Sequence, residues 1–275
     1  PEPSSFEVRR YYLGSAPGGA HSREGTDGFV VTGSSFRRTY QFGYYDLLLW
    51  SNIDSADGTQ VVVVNDDDVD EVTATTTVTR GMTRAGDEDA VTALYNQPEV
   101  FYSAYPRDIY ISRNFDDYDF YNEAEGVWVK QINTTLNPLV YIYLVQVVLH
   151  HNDGRIVGCT GDAADSAFAS GTSVNTGHTN NNPCMVYFGM RLKQNQTWEE
   201  ETVDILGGKL TTFGLCDMEG WVSDTRSQYQ GSRAELPNYL LFTLSFSNGT
   251  EQTLQLPITE QLQSQCHGGV VTVHL

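Results

Sequence analysis

Residues 138–161 constrain the fold more than any other part of the chain. Between residues 139 and 149 only Gln146 is strongly polar, and most of the others are β-branched or aromatic. Such side chains lose rotamer freedom in a helix and pack well on a pleated surface. Asp153 and Gly154 follow, and both tolerate the positive φ that a tight turn requires. The stretch therefore predicts a long hairpin whose first strand lies in the centre of a packed sheet.

The composition narrows the class of protein. The 275 residues are enough for one large or two ordinary β domains, and 40% of them are hydrophobic. The net charge of −19 comes from 35 acidic against 16 basic residues. A chain of this sign has no basic surface to replace the counterions of a nucleic acid, and anionic lipid repels it. We therefore expect no nucleic acid as a partner and no direct binding to a lipid surface.

The sequence shows neither a signal peptide nor a transmembrane segment. Its longest apolar run is shorter than the ~20 residues that a helix needs to cross a bilayer. The first residue is Pro1 rather than a methionine. We expect from this that the sequence is part of a longer protein, in which an export signal would precede Pro1.

Four cysteines leave several interpretations open. Cys159, Cys184, Cys216 and Cys266 all lie in the second half, far apart and without a Cys-x-x-Cys pair. Buried thiols are the interpretation that we favour. One disulfide in an oxidising compartment is an alternative, and a zinc site is a more distant one, because zinc sites usually contain closely spaced cysteine pairs.

Short strands of period 2, separated by turn residues, predict an all-β protein built of antiparallel sandwiches. The clearest hairpin after the first comprises residues 238–257. Leu240, Phe242 and Leu244 share one face there, and Asn248-Gly249 supplies the turn. The predicted core of the second half consists of Leu139, Tyr141, Leu144, Val147, Phe188, Met190, Leu240, Phe242 and Leu244.

The acidic and aromatic residues 114–126 show no clear period, and we place a domain boundary there. The prediction is an N-terminal β-sandwich of residues 1–122 and a C-terminal β-sandwich of residues 123–275. Helix is expected only as short turns over residues 89–95, 163–169 and 261–265.

Catalytic motifs are absent from the sequence. It contains no Gly-x-Ser-x-Gly elbow, no His-Glu-x-x-His, no phosphate-binding glycine loop with lysine and no dinucleotide fingerprint. His150 and His151 are adjacent at a strand end, and neighbouring strand residues point to opposite faces. We therefore expect two exposed histidines that do not share a metal ion. The prediction is of no catalytic residue, no metal site and no cofactor.

Two acidic clusters could instead supply oxygen ligands to calcium, although neither follows the spacing of a calcium-binding loop. We favour solvated loops for both clusters, Asp66-Asp67-Asp68-Asp70 and Asp116-Asp117-Asp119. An aromatic group offers a second choice between packing and binding. We favour packing between two domains, with stacking on a sugar as the alternative, for Phe115, Tyr118, Phe120, Tyr121 and Trp128.

Three segments resemble fimbrillin-like surface lipoproteins of the Bacteroidetes type, including relatives of the fimbrial anchor subunits. Residues 42–52, Phe-Gly-Tyr-Tyr-Asp-Leu-Leu-Leu-Trp-Ser-Asn, are similar to a strand of their first domain. Residues 97–103, Gln-Pro-Glu-Val-Phe-Tyr-Ser, are similar to a segment near the end of that domain. Residues 140–161, with the small-residue segments 166–171 and 175–177 after them, resemble the hairpin and insert of the second domain.

The resemblance implies two consecutive transthyretin-like antiparallel β-sandwiches with Greek-key connections. It implies a cell-surface protein held at the outer membrane by a lipidated cysteine that would precede Pro1. Such proteins form, anchor or tip adhesive pili and join other pilus subunits by strand exchange, and they supply no catalytic residue to carry over. Asp54-Ser-Ala56 and Asp165-Ser-Ala167 also match the short O-glycosylation signal of these bacteria.

We therefore expect a non-enzymatic cell-surface protein that is a fimbrillin-like component or anchor of an adhesive pilus. The alternative is a surface glycan-binding lipoprotein of a polysaccharide-uptake system, which should show an exposed platform of aromatic rings. A hydrolase with an unrecognised site is a third interpretation, and it would need a deep pocket with convergent carboxylates.

Strand exchange requires a strand that can leave its sheet, and two segments qualify by sequence. Residues 5–13 precede a glycine-rich loop over residues 14–28. Residues 270–275 alternate between apolar and polar side chains and follow Gly268-Gly269 at the end of the sequence. We favour residues 270–275, because a terminal strand can move at a lower topological cost. The alternative is that they form an ordinary last strand of the second sandwich.

Overall fold

The computed structural model describes residues 3–16, 22–51, 61–84, 87–165, 171–175, 177, 185–213, 238–263, 265 and 267–275. Regular structure in these ranges is almost entirely β-strand, which confirms the all-β class. The strands are β1 Ser5–Gly14, β2 Ser22–Thr32, β3 Gly43–Ser51, β4 Val61–Val64, β5 Thr73–Thr76, β6 Val78–Arg84, β7 Asp87–Tyr95, β8 Tyr102–Ala104, β9 Ile109–Ile111, β10 Phe120–Asn122, β11 Val127–Val129, β12 Asn137–Pro138, β13 Tyr141–Leu149, β14 Ile156–Asp165, β15 Gly171–Ser173, β16 Met185–Tyr187, β17 Met190–Trp198, β18 Glu201–Thr212, β19 Tyr239–Phe246, β20 Glu251–Pro257 and β21 Gly269–His274. Helix in the same ranges is limited to a 3-10 turn, Phe115–Asp117, and α1, Thr259–Gln263.

The strands form five sheets. Sheet A has the order β12-β8-β3-β1-β2, with β9 also paired to β3, and sheet B has the order β15-β5-β4. Sheet C has the order β20-β19-β14-β16-β7-β6, sheet D is the hairpin β10-β11, and sheet E has the order β17-β18-β13-β21. Two of the described ladders are parallel, β13 with β21 and β7 with β16. The others are antiparallel, as the sequence pattern predicts.

Strands from both sides of position 122 share sheets A, B, C and D. β8 pairs with β12 in sheet A, and β10 pairs with β11 in sheet D. β7 pairs with β16 in sheet C, and β15 pairs with β5 in sheet B. Each of these ladders joins residues from either side of position 122. The division into residues 1–122 and 123–275 therefore stays a prediction. The sheets do not divide at position 122, because several of them contain strands from both sides of it.

Among the described residues, apolar side chains form one large core drawn mainly from the second half of the chain and two cores drawn mainly from the first. The large core joins the inner faces of sheets C and E and contains Tyr143, Val145, Val147, Phe188 and Phe242. One face of sheet A forms a core together with sheet B, and its other face forms a third core. Burial of these faces supplies most of the driving force for folding, since apolar burial is the dominant favourable contribution in globular proteins.

β13 occupies the interior of its sheet as predicted, but the hairpin predicted from it is wrong. β13 pairs with β18 and β21, whereas β14 pairs with β19 and β16 in the other sheet. The chain between them has positive φ at His151, Asp153 and Gly154 (49°, 48° and 71°). The Asn152 side chain also accepts a hydrogen bond from the Ile156 N–H at 2.7 Å and donates one to the Ile156 carbonyl at 3.0 Å. These bonds close the turn between two sheets instead of within one.

The predicted core is partly correct. Leu144 is 53% exposed, so the prediction of an inward side chain there is wrong. Tyr141 is half-buried and packs against the large core, so its predicted inward position is confirmed in part. Tyr143 and Val145, which were not predicted, are buried in that core. A strand that is apolar at nearly every position carries no signal for which face points inward, and a shift of one residue inverts the assignment. Leu139 is buried, but in the core between sheets A and B. The predictions confirmed for the core of the second half are Val147, Phe188, Met190, Leu240, Phe242 and Leu244.

The three predicted helical turns have different outcomes. Residues 89–95 belong to strand β7 instead of a helical turn, and residues 163–165 belong to β14. The turn predicted over residues 261–265 overlaps α1 and is confirmed in kind. β18 runs unbroken through Gly207 and Gly208. A Cβ at Gly208 would lie 2.6 Å from the Gly189 carbonyl oxygen. That glycine permits a close backbone approach and does not end a strand.

Truncation of Phe242 tests the assignment of the large core. The Phe242 ring is fully buried, so Phe242→Ala should lower the free energy of unfolding by roughly 3–5 kcal/mol. Val157→Ala is the matched control at an exposed strand position and should cost less than ~1 kcal/mol. Urea denaturation of the two variants measures the difference. Equal small losses would mean that the Phe242 side chain does not fill the core.

Candidate functional sites: a sheet edge and an aromatic cluster

β21 is the edge strand of sheet E, and among the described residues it pairs with β13 alone. Its parallel ladder with β13 runs from Gly269 opposite Tyr143 to His274 opposite Val148. Val271 is 1% exposed and belongs to the large core, and the partly buried Val273 packs against that core. The predicted alternation of inward and outward residues in this strand is therefore present.

Two glutamine side chains lie along the other edge of β21. The Gln261 amide accepts a hydrogen bond from the Thr272 N–H at 2.7 Å and donates one to the Thr272 carbonyl at 2.6 Å. The Gln265 amide does the same for Val270, at 2.5 Å and 3.0 Å. Each side-chain amide thus takes the place that one residue of a neighbouring antiparallel strand would occupy.

Gly268 and Gly269 make this arrangement sterically possible. Gly268 has a φ of +93°, and a Cβ there would lie 2.6 Å from the Ile142 carbonyl oxygen. A Cβ at Gly269 would lie 2.6 Å from Cδ of Gln265. A side chain at residue 269 could be accommodated only if Gln265 moved away from Val270.

β1, the other segment considered for exchange, lies in the interior of sheet A. It forms an antiparallel ladder with β2 on one side and with β3 on the other. Removing β1 would break two ladders and expose Phe6, Val8 and Tyr11, which are all buried. Removing β21 would break one ladder and the glutamine contacts.

The outer face of sheet E carries exposed apolar side chains. Ile142 and Leu144 point outward from β13, and Val270 lies opposite Leu144 on β21. Lys209 lies opposite Leu144 on the other side, in β18. A cavity of about 390 Å³ adjoins this face and is lined by Gln97, Pro98, Glu99, Val100, Lys209 and Thr211. The Gln97 side-chain oxygen fixes one wall by accepting hydrogen bonds from the Thr211 N–H and hydroxyl, at 2.8 and 3.1 Å.

The aromatic group predicted to pack between domains is exposed instead. Phe115 and Trp128 stack at a centroid distance of 5.4 Å with an angle of 15° between their planes. Tyr121 and Tyr118 contact the same indole ring at 5.1 and 6.4 Å. Trp128 is 42% exposed and Phe115 53% exposed. The rings pack on one another at the surface, on the small sheet D and the 3-10 turn before it.

Each acidic loop is held by contacts to a neighbouring segment of the chain. Asp66 forms an ion pair with Arg9 of β1, and its carbonyl accepts a 2.8 Å hydrogen bond from the Tyr11 hydroxyl. Asp119 accepts a 2.6 Å hydrogen bond from the Gln131 N–H. No group of three or more histidine, cysteine or acidic side chains with the geometry of a metal site occurs among the described residues.

His150 and His151 face different surroundings. His151 is exposed, whereas the half-buried His150 lies with Nδ1 3.3 Å from a Glu201 carboxylate oxygen and Nε2 3.0 Å from Nδ1 of His274. His150 therefore meets the end of β21 instead of its sequence neighbour. Cys159 is half-buried, with its sulfur 3.9 Å from the Met190 carbonyl oxygen.

Several sequence predictions lie outside the described residues. They concern Cys184, Cys216, Cys266, the tripeptide at 54–56 and most of the tripeptide at 165–167. In the part of the chain that is described, no helix combines the length and the apolar character needed to span a membrane.

Several solved structures are similar to this chain, including the following three. A candidate adhesin from Bacteroides ovatus is 12% identical, with 99% of this chain and 86% of that chain covered and a TM-score of 0.55. A candidate polysaccharide-binding protein from Bacteroides thetaiotaomicron is 8% identical, with 99% and 83% covered and a TM-score of 0.50. The fimbrial anchor protein Mfa2 from Porphyromonas gingivalis is 12% identical, with 99% and 82% covered and a TM-score of 0.46.

The first two structures show the fold of the chain. It is the fold of two Bacteroides proteins, one described as a candidate adhesin and the other as a candidate polysaccharide-binding protein. This fold agrees with the sandwich architecture that the resemblance in the sequence implies. No protein-family profile and no curated protein sequence matches the chain.

The residues that the sequence analysis missed are Gln261 and Gln265. They are four positions apart, on α1 and just after it, and they precede a strand that begins with two glycines. That combination of i and i+4 amides beside Gly-Gly is the only signal for them in the sequence. It becomes meaningful once α1 is known to lie against β21.

Removal of the Tyr143 hydroxyl tests whether this side chain is buried beside β21. Burial raises the pKa of Tyr143, and a hydrogen bond with the Gly268 backbone lowers it in part. Because the folded state disfavours the phenolate, this stability is present below the unfolded pKa of about 10 and is lost as the pH rises above it. Tyr143→Phe should therefore lose less unfolding free energy between pH ~8 and pH ~11 than the wild type.

The comparison needs a control, because burial also raises the pKa of other tyrosines, such as Tyr11 and Tyr105, and they contribute to the same alkaline loss of stability. Tyr121→Phe, at an exposed position, should leave the alkaline loss of stability unchanged. Urea denaturation at the two pH values gives the result. An identical loss in wild type and Tyr143→Phe would show that the phenol is accessible to water.

Proposed function

We propose that this chain is a non-enzymatic cell-surface adhesin, a fimbrillin-like component or anchor of an adhesive pilus. In this proposal it joins neighbouring subunits by strand exchange at β21. The observation that carries the proposal is that, among the described residues, one ladder holds β21 in its sheet. The similarity in fold to a candidate adhesin supports the same class.

The geometry of β21 suits exchange for two reasons. An extended strand binds through main-chain hydrogen bonds, and its alternate side chains fill pockets that provide specificity. β21 contributes both, since its main chain pairs with β13 and Val271 enters the large core. The same contacts form when the strand comes from another copy, so exchange does not require a new surface.

The location that accompanies this proposal is the outer membrane. The resemblance to fimbrillin-like lipoproteins supports attachment by a lipid on a cysteine that would precede Pro1. Contact with the membrane would then be confined to the lipid, which agrees with a net charge of −19 that disfavours binding to anionic headgroups. Surface exposure of the chain on intact cells, tested by protease accessibility, follows from this location.

Deletion of residues 269–275 tests assembly through β21. We expect the chain with residues 269–275 to self-associate at high concentration. We expect the truncated chain to stay folded, because β13 keeps its ladder with β18, but not to self-associate. Circular dichroism measures the fold, and light scattering with electron microscopy measures the assemblies. Unfolding of the truncated chain would identify β21 as ordinary core, and unchanged assembly would rule out exchange of this strand.

The exposed aromatic cluster favours a second candidate function, glycan binding. Phe115, Tyr121 and Trp128 present ring faces at the surface, and the acidic residues Asp116 and Asp117 lie beside them in the chain. The apolar face of a pyranose packs on an aromatic ring, while carboxylates accept hydrogen bonds from its hydroxyl groups. Exposed apolar patches rimmed by polar groups commonly mark interaction sites. One solved structure with this fold is described as a candidate polysaccharide-binding protein, which agrees with this alternative.

Affinity electrophoresis in gels containing starch, xylan or mannan tests glycan binding. A glycan binder should migrate more slowly in at least one gel, and Trp128→Ala should abolish the retardation. Tyr187→Ala, another exposed aromatic position, is the control and should migrate like the wild type. Retardation that survives Trp128→Ala, or no retardation in any gel, would remove this candidate.

A further inference from the structure

We infer that β13 on one side and the Gln261 and Gln265 side chains on the other form a slot with two walls. This slot binds the main chain of the strand that lies between them. The occupant in the isolated chain is β21, and in an assembly it is the same strand of a second copy. This inference rests on the proposed function, because it names the residues and the partner that strand exchange would use.

The two walls bind alternate residues of the strand. β13 provides one wall, as a parallel ladder over residues 269–274. The glutamine amides provide the other by pairing with both main-chain groups of Val270 and of Thr272. Successive peptide groups of a strand point to opposite edges, so the two walls do not compete for the same groups.

The glutamine wall has a fixed position. Leu262, between the two glutamines, is fully buried in the large core, and so is Ile258 just before α1. The Gln265 amide also donates a 3.0 Å hydrogen bond to the Gln261 carbonyl. Because the segment is anchored independently of β21, its amides stay in place to receive a strand from elsewhere.

The slot selects a sequence pattern. Val271 enters the core, and the partly buried Val273 packs against it. Thr272, on the outer face, accepts a 2.8 Å hydrogen bond at its hydroxyl from the Gln146 amide. Glycine at position 269 lets Gln265 pair with Val270, because a Cβ there would displace the Gln265 side chain. The preferred pattern is Gly-x-Val-Thr-Val, which this chain supplies through its own residues 269–273.

A labelled peptide with the sequence of residues 269–275 tests the slot in the full-length chain. The host carries Val271→Ala and Val273→Ala, which remove both inward side chains of its own strand, so that the peptide binds an open slot. We expect the peptide to bind this host, and to bind at least tenfold more weakly when Gln261→Ala and Gln265→Ala are added. The matched control adds Gln252→Ala and Gln255→Ala, two exposed positions on β20, and should bind like the host. Fluorescence anisotropy measures binding.

A second peptide, with alanine at position 269, tests the steric part of the slot. It should bind the host more weakly than the first peptide does, because its Cβ displaces Gln265 from the main chain. In a host that also carries Gln265→Ala, the two peptides should bind within about twofold of each other. Such non-additivity is the signature of two groups in direct contact.

Amide hydrogen exchange gives a readout that does not depend on the weakened host. In full-length Gln261→Ala/Gln265→Ala, the Val270 and Thr272 amides should exchange at least tenfold faster than in Gln252→Ala/Gln255→Ala. Equal exchange, or peptide binding unaffected by the glutamine changes, would overturn the slot and leave strand exchange standing. Failure of the peptide to bind any folded host would overturn both.

Discussion

Burial of one face of β13 is the interaction on which the second half of the structure depends. Tyr143, Val145 and Val147 all point into the core between sheets C and E. β13 is also the strand that holds β18 on one side and β21 on the other. Because both neighbours pair with it, its position determines where the edge of sheet E lies. The assembly proposed for this chain uses that edge.

An edge strand that is exchanged must meet two opposing requirements. Its free main-chain groups must be covered in the isolated chain, and the strand must still be able to leave its sheet. An open row of main-chain groups invites unwanted pairing, and natural proteins cover or interrupt such rows. Gln261 and Gln265 cover two residues of β21 with side chains, which can move without disturbing a sheet. The edge is thereby protected in the isolated chain, while the strand still leaves by breaking only one ladder. β1, between two ladders, lacks this property.

The sequence predicted a strand and its buried face correctly where only one face of the strand is consistently apolar. Alternation in residues 240–244, with a clear turn at Asn248-Gly249, identified β19, β20 and their buried face. It failed for β13, where both faces are apolar and Leu144 is indistinguishable from Val145. The crossing to β14 depends on Asn152 and on positive φ at its neighbours, and a tight hairpin would use similar residues. The glutamine wall depends on tertiary contact, which no local pattern encodes.

A reversible cross-link gives the most direct test of assembly through β21. Gln146 and Thr272 are opposite one another on β13 and β21, and their side chains are hydrogen-bonded. A disulfide in Gln146→Cys/Thr272→Cys would hold β21 in its own chain. The control pair Thr243→Cys/Thr253→Cys locks β19 to β20, whose threonine hydroxyls are 2.9 Å apart. We predict that the oxidised Gln146→Cys/Thr272→Cys chain does not self-associate and regains association on reduction, while the control associates in both states. Equal self-association of the oxidised and reduced chains would contradict exchange of β21.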